Sequence, residues 1–99
     1  MAKRKIIWSQ IANLKLFQIL EFYAVRNGNK TYSTKLYKKF KKELSQLKKY
    51  PEIGMLTNFD SIRGLIVDDF ILFYEITDQF IIIHTVWDSR QNPNELLIK

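Results

Sequence analysis

Apolar positions along the 99-residue chain change their spacing from strand-like to helical and back again. Lys5 to Ser9 is short, apolar and partly β-branched, which predicts a strand, and Ser9 is placed to cap a following helix. Between Gln10 and Arg26, Ile11, Leu14, Phe17, Leu20 and Tyr23 or Ala24 recur at intervals of three and four, so they are expected to form the buried stripe of that helix. Asn27-Gly28-Asn29 ends it, because Gly and Asn accept the left-handed conformation. Ser33 or Thr34 is expected to cap a second helix with Leu36, Phe40, Leu44 and Leu47 inward and lysines elsewhere. Pro51 closes it, and residues 51–60 read as a connecting loop. From Ile62 the chain turns β-branched and aromatic: Ile62–Val67, Phe70–Ile76 and Phe80–Trp87 are three strands separated by breaks of hairpin length. The expected fold class is α+β, in one domain over residues 1–99: an N-terminal strand, a helical hairpin, then a three-stranded antiparallel meander.

Side chains alternate across a strand, so Phe70, Leu72, Tyr74 and Ile76 share one face while Ile71, Phe73 and Glu75 share the other. The third strand sets Phe80, Ile82, His84 and Val86 against Ile81, Ile83, Thr85 and Trp87. Both faces are largely apolar, yet two helices can cover only one. Ile71, Phe73, Ile81, Ile83 and Trp87 would each gain roughly 1.5 to 3 kcal/mol on burial, which predicts a partner chain on the uncovered face. The alternative is that the first strand, the C-terminal tail with Leu96, Leu97 and Ile98, or sheet curvature hides it.

Composition narrows the chemistry. There is no Cys and one His, so a thiolate zinc site or an imidazole cluster is not expected, nor is a cofactor. Ile6, Ile7 and Trp8 are too short a run for export, and Phe80–Ile83 is far below the roughly 20 residues of a membrane helix; a cytoplasmic protein is expected. Residues 1–50 carry 13 Lys/Arg and 2 acids, residues 51–99 carry 3 and 8, giving +11 and −5 within a net charge of +6. Nine cations fall between Arg26 and Lys49. Such a cluster, with Lys35, Lys38, Lys39 and Lys42 at its centre, draws phosphate backbones or acidic proteins, or is simply a solvated face.

The order of elements, together with Ile7-Trp8-Ser9, Leu47 to Gly54, Ile62-Arg63, Phe70 to Glu75 and Trp87 to Pro93, resembles the RelE/ParE superfamily of toxins from bacterial type II toxin–antitoxin modules, over nearly the whole chain. The resemblance implies growth inhibition, with plasmid stabilisation as one setting, and a cognate antitoxin whose partly disordered segment folds around the toxin. Ile71, Phe73, Ile81, Ile83 and Trp87 would then bind the antitoxin. A homodimer through the same face is the other occupant considered.

Within that superfamily, ribosome-dependent ribonucleases place an arginine directly after the aromatic residue that opens the second meander strand. Here Phe70 is followed by Ile71, and the preceding strand reads Ile62-Arg63-Gly64 where some ribonuclease members carry paired lysines. The Phe-Ile-Leu-Phe-Tyr run instead resembles the branch with ParE-type DNA gyrase inhibitors, so gyrase stands ahead of the ribosome and its mRNA as the target. In that reading Lys35, Lys38, Lys39, Lys42, Arg63, Trp87 and Arg90 are candidate target-binding residues. In the ribonuclease reading His84 is the acid or base and Arg63 and Arg90 stabilise the phosphorane. Each has a structural alternative: His84 as a core residue bonded to a carbonyl, Arg63 and Arg90 paired with Asp68, Asp69 or Asp88, Trp87 as a plug at the end of the sheet. A third reading is an inactive toxin-like interaction protein.

Overall fold

The computed structural model describes residues 4–90. In chain order the elements are β1 (Lys5–Trp8), α1 (Gln10–Asn27), α2 (Thr31–Leu47), β2 (Met55–Leu56), β3 (Ile62–Val67), β4 (Phe70–Ile76) and β5 (Phe80–Asp88). The five strands form one sheet in the order β1-β5-β4-β3-β2. β3, β4 and β5 are the expected meander, and β1 adds parallel to β5, so the sheet is mixed. β2 lies inside the segment expected to be only loop; two residues are too few to display an alternation.

α1 begins where expected. The Ser9 hydroxyl accepts the Ala12 N–H at 3.0 Å and donates to the His84 carbonyl at 2.9 Å, tying the helix start to β5. Gly28 ends it at φ 71°, the left-handed conformation for which glycine has no steric cost. α2 starts ahead of Ser33: the Asn29 side chain accepts the Thr31 N–H, and the Ser33 hydroxyl donates to the Leu20 carbonyl at 2.6 Å, bonding the two helices together.

The helices cover one face of the sheet. Leu36, Phe40, Leu44 and Leu47 of α2 are buried as the spacing predicts, against Leu65, Val67, Phe70, Leu72 and Tyr74. α1 keeps Leu20 and Tyr23 of the expected stripe against the core but exposes Ile11, Leu14 and Phe17. It buries Ala12 and Leu16, with Ile19, Leu20 and Tyr23 packed beside them, while Phe17 is 62% and Val25 76% exposed. Apolar residues surround the α1 axis on every side, so a three-four spacing can be traced through the wrong face.

A bulge rearranges the far face. Phe73 pairs with Thr85 and Tyr74 with Ile83, so His84 has no partner across the ladder and the alternation of β5 shifts by one residue. Ile81 and Ile83 therefore join Val86 in the helix-covered core, both fully buried, and the expectation that they bind an antitoxin is corrected. Ile62, Phe73 and Trp87 form a second, smaller cluster on the far face with half-buried Ile71 beside it. Gly64 makes this closure feasible: a Cβ there would stand 3.0 Å from Ile71 Cγ2 and 3.6 Å from the Phe73 ring. With Phe73 and Trp87 each 6% exposed, the expected wide-open sheet face is also corrected; Ile66, 53% exposed, lies at its edge. The tail residues Leu96, Leu97 and Ile98 lie outside the described residues. No helix among the described residues is long and apolar enough to cross a membrane.

Candidate functional site

The bulge that reorders the core also sets the direction of the one imidazole. His84 Nε2 lies 2.8 Å from Glu75 Oε1, both side chains half-buried on the face away from the helices. Glu75 sits opposite Ile62 on β3 and Ile82 on β5, so the pair is ringed by aliphatic side chains. The carboxylate fixes the orientation of the imidazole ring on this face. His84 is thus bonded to a side chain, in place of the core carbonyl considered as its alternative.

Arg63 is on the other face. It lies opposite Tyr74, and its Nη1 donates to the Gly54 and Glu52 carbonyls at 2.9 and 3.2 Å, with the Glu52 carboxylate 3.7 Å from Nη2. Its donors hold the 52–54 loop against β3. Arg90 follows the end of β5. Its Nε and Nη2 form a two-pronged pair with Asp88 at 2.9 and 2.8 Å, and Nη2 also donates to the Tyr23 hydroxyl at 2.6 Å. This arrangement raises the already high pKa of Arg90, while hydrogen bonds from Arg90 hold the Asp88 carboxyl below its ordinary range. Tyr23 is positioned by edge-on stacking with Tyr32 and Phe22, with centroids 4.8 and 5.1 Å apart. The Arg90–Tyr23 bond joins positions 67 apart in the chain, and no local spacing signals it.

The three groups assigned to RNA cleavage therefore do not meet. Arg63 faces the helix side, His84 faces away from it, and Arg90 is engaged by a carboxylate beyond the end of β5. Ile71 occupies the far face beside Ile66 and Trp87, adding an aliphatic group where the ribonucleases have an arginine.

The cationic helix keeps most of its charge available. Lys35, Lys38 and Lys42 are exposed and have no ion-pair partner among the described residues. Lys39 is different: its Nζ contacts Asp68 in the β3–β4 turn at 2.5 Å, and that hydrogen bond raises its pKa. Lys39 remains exposed but has an acidic partner, which Lys35, Lys38 and Lys42 lack among the described residues. Trp87 is buried as a plug against Ile62 and Phe73, which corrects its use for stacking on a base. Among the described residues no group of His, Asp and Glu could hold a metal ion.

Comparison with known proteins bears on this geometry. The sequence model of a family described as "ParE toxin of type II toxin-antitoxin system, parDE" matches residues 6–93. Among solved structures, the chain is similar to the chromosomal ParDE TA system from P. aeruginosa, at 17% identity and a TM-score of 0.74 over 85% of this chain and 94% of that one. It is also similar to the E. coli DinJ-YafQ toxin-antitoxin complex, at 15% identity and a TM-score of 0.54 over 86% of this chain and 91% of that one. At such identities the likeness is one of fold. No curated protein matches the chain.

Proposed function

Since the chain belongs to the ParE family of type II toxin–antitoxin toxins, we propose that it arrests growth by binding its target, DNA gyrase, as a rigid module and without cutting RNA. The observation that carries this reading is the dispersal of His84, Arg63 and Arg90. Phosphoryl chemistry on RNA needs a proton carrier and cations converging on one phosphorane, whereas here the arginine donors are spent on loop carbonyls and on Asp88. What remains is suited to binding: an exposed cationic helix carrying Lys35, Lys38 and Lys42.

A cognate antitoxin is the partner that membership in the family brings. Its cover is supported by the outer side of α1, where Leu14, Phe17, Phe22 and Val25 are exposed. A helix apolar all round is ordinarily buried all round. On this reading the antitoxin meets α1 more than the closed cluster of Ile71, Phe73 and Trp87.

One observation favours RNA cleavage as a second reading: Glu75 orients the His84 imidazole through a 2.8 Å hydrogen bond, as an acid or base in that reaction would require. Two assays separate the readings. Purified protein is added to gyrase supercoiling reactions and, separately, to a translating ribosome extract read by primer extension. Inhibited supercoiling with uncut transcripts is the expected result. Codon-phased cuts that disappear in His84→Ala would replace it with the ribonuclease reading.

A further inference from the structure

Part of the charge of α2 is drawn into a single line. Tyr37, Lys41, Ser45 and Lys48 follow one another at four, four and three positions, so they stand along one side of the helix. Lys48 keeps helical angles, φ −66° and ψ −32°, and continues that line past the last turn. Ser45 between the two lysines is small, and its hydroxyl donates back to the Lys42 carbonyl at 2.7 Å, so the gap between Lys41 and Lys48 stays open. The two lysines are about 10 Å apart along the axis, near enough for both flexible chains to reach one ligand. Glu43, the one acid of α2, is two positions from Ser45 and therefore about 200° round the helix from it.

This line forms one wall of a groove. About 640 Å³ lies between it, β1 and the first turns of α1, within the roughly 300–1,000 Å³ of small-molecule sites. Lys5 of β1 and Asn13 of α1 line it from the facing elements, and buried Leu16, Phe40 and Leu44 make its floor. No carboxylate lines the groove, and none of Lys5, Lys41 and Lys48 has an ion-pair partner among the described residues. At one end Tyr37 is 41% exposed, with Lys41 Nζ 5.5 Å from the ring centroid. From Tyr37 to Lys48 the wall runs roughly 16 Å along the helix.

We infer that the groove binds a nucleoside polyphosphate, an anionic chain joined to a flat and largely apolar ring. The phosphates lie among Lys41, Lys48 and Lys5, where three ammonium groups face no competing acid. The base lies toward Tyr37 and the apolar floor, and the wall is long enough for both ends. A free phosphate leaves the apolar surface unused, and a nucleic-acid strand outruns a groove of this volume. None of the lining residues belongs to the exposed stripe Leu14, Phe17, Phe22 and Val25, or to Lys35, Lys38 and Lys42, so the nucleotide site is separate from the surfaces assigned to antitoxin and target.

The test titrates the intact chain with ATP, tripolyphosphate and adenosine by calorimetry, at low salt and without divalent metal. ATP is expected to bind about tenfold more tightly than tripolyphosphate or adenosine alone. The Lys41→Gln/Lys48→Gln variant should bind ATP about tenfold more weakly, and Tyr37→Leu should weaken ATP about fivefold while leaving tripolyphosphate nearly unchanged. Lys35→Gln/Lys38→Gln removes the same charge outside the groove and should leave ATP binding within about twofold. In the wild-type chain, NMR shifts on adding ATP should centre on Asn13, Tyr37 and Lys41. Absence of ATP binding, or shifts confined to other residues, would overturn the proposal. So would tripolyphosphate binding as tightly as ATP, or equal losses in the two double-lysine variants, since either result leaves only a diffuse positive field. A glutamate-rich peptide of equal charge that binds as tightly as ATP would likewise replace the nucleotide with an acidic protein segment.

Discussion

Tyr74 and Gly54 are fitted to one another across 20 residues of chain. The Tyr74 hydroxyl accepts the Gly54 N–H at 2.9 Å and donates to the Pro51 carbonyl at 2.6 Å, from a fully buried ring. Burial, the largest influence on it, raises the pKa of this phenol, so it stays protonated and keeps its donor role well above neutral pH. Tyr74→Phe leaves a buried N–H and a carbonyl without their partner and should cost about 1–3 kcal/mol in urea unfolding. Gly54→Ala places a Cβ 2.5 Å from the same oxygen and should cost a similar amount, roughly 1–3 kcal/mol, by forcing the ring aside. The double variant should cost clearly less than the sum, because each change disrupts the same contact.

The register of α1 is tested by two neighbours. Leu16 faces the core and Phe17 faces outward. Leu16→Ala should destabilise the chain by about 2–4 kcal/mol, while Phe17→Ser should change stability by no more than about 0.5 kcal/mol. Thermal unfolding of both variants checks this. A larger loss for Phe17→Ser would reverse the register and remove the exposed stripe on which the antitoxin surface on α1 rests.

α2 was legible because lysines mark its outer side, so the row Leu36, Phe40, Leu44, Leu47 had one interpretation. α1 has no such marking, and only the packed structure separates Leu16 from Phe17. In β5, strict alternation failed at one residue: nothing local to His84 announces a bulge, yet it moves Ile81 and Ile83 from one face to the other. Turns and caps were read from single residues whose chemistry suffices, as at Ser9 and Gly28. Arg90 pairs with Asp88 two residues before it, one of the alternatives open from the sequence, whereas the partners of Arg63 and Lys39 and the Arg90–Tyr23 bond lie 9 to 67 positions away, beyond the reach of spacing.

Acid should weaken the end of β5 in a defined window. Hydrogen bonds from Arg90 depress the Asp88 pKa below its ordinary 3.8, so the folded state binds that proton less readily than the unfolded chain. Its stabilising contribution is present above the unfolded pKa and is lost as pH falls through the depressed value. The wild-type chain should therefore lose thermal stability more steeply below about pH 4 than Asp88→Asn, whose curve lacks this contribution. Parallel melting curves from pH 5 downward check the difference; identical slopes would mean the Asp88–Arg90 pair does not persist in solution.

His84→Ala provides the sharpest separation of binding from catalysis inside cells. The imidazole contacts Glu75 and lies away from both arginines, so its removal should leave growth arrest within about threefold of wild type if toxicity is binding alone. Glu75→Gln should behave in the same way. Loss of arrest in both variants at unchanged melting temperature would instead make the pair the proton carrier of an RNA-cleaving site.

The cationic face of α2 should reveal itself through salt. Lys35, Lys38 and Lys42 are exposed without ion-pair partners among the described residues, whereas Lys39 is paired with Asp68. Exposed charges act through the solvent, and their attraction to an acidic surface or to gyrase-bound DNA is screened within roughly 10 Å at 0.1 M salt. Gyrase inhibition by the wild-type chain should therefore weaken between low and moderate salt. The Lys35→Gln/Lys38→Gln/Lys42→Gln variant should need about tenfold more protein at low salt and show a flatter salt dependence. Lys39→Gln should leave inhibition nearly unchanged while lowering the melting temperature slightly, because its charge is already spent on the β3–β4 turn. If the triple variant inhibits as well as wild type at every salt concentration, the positive field of α2 is a solvated face and the target contacts lie elsewhere on the molecule.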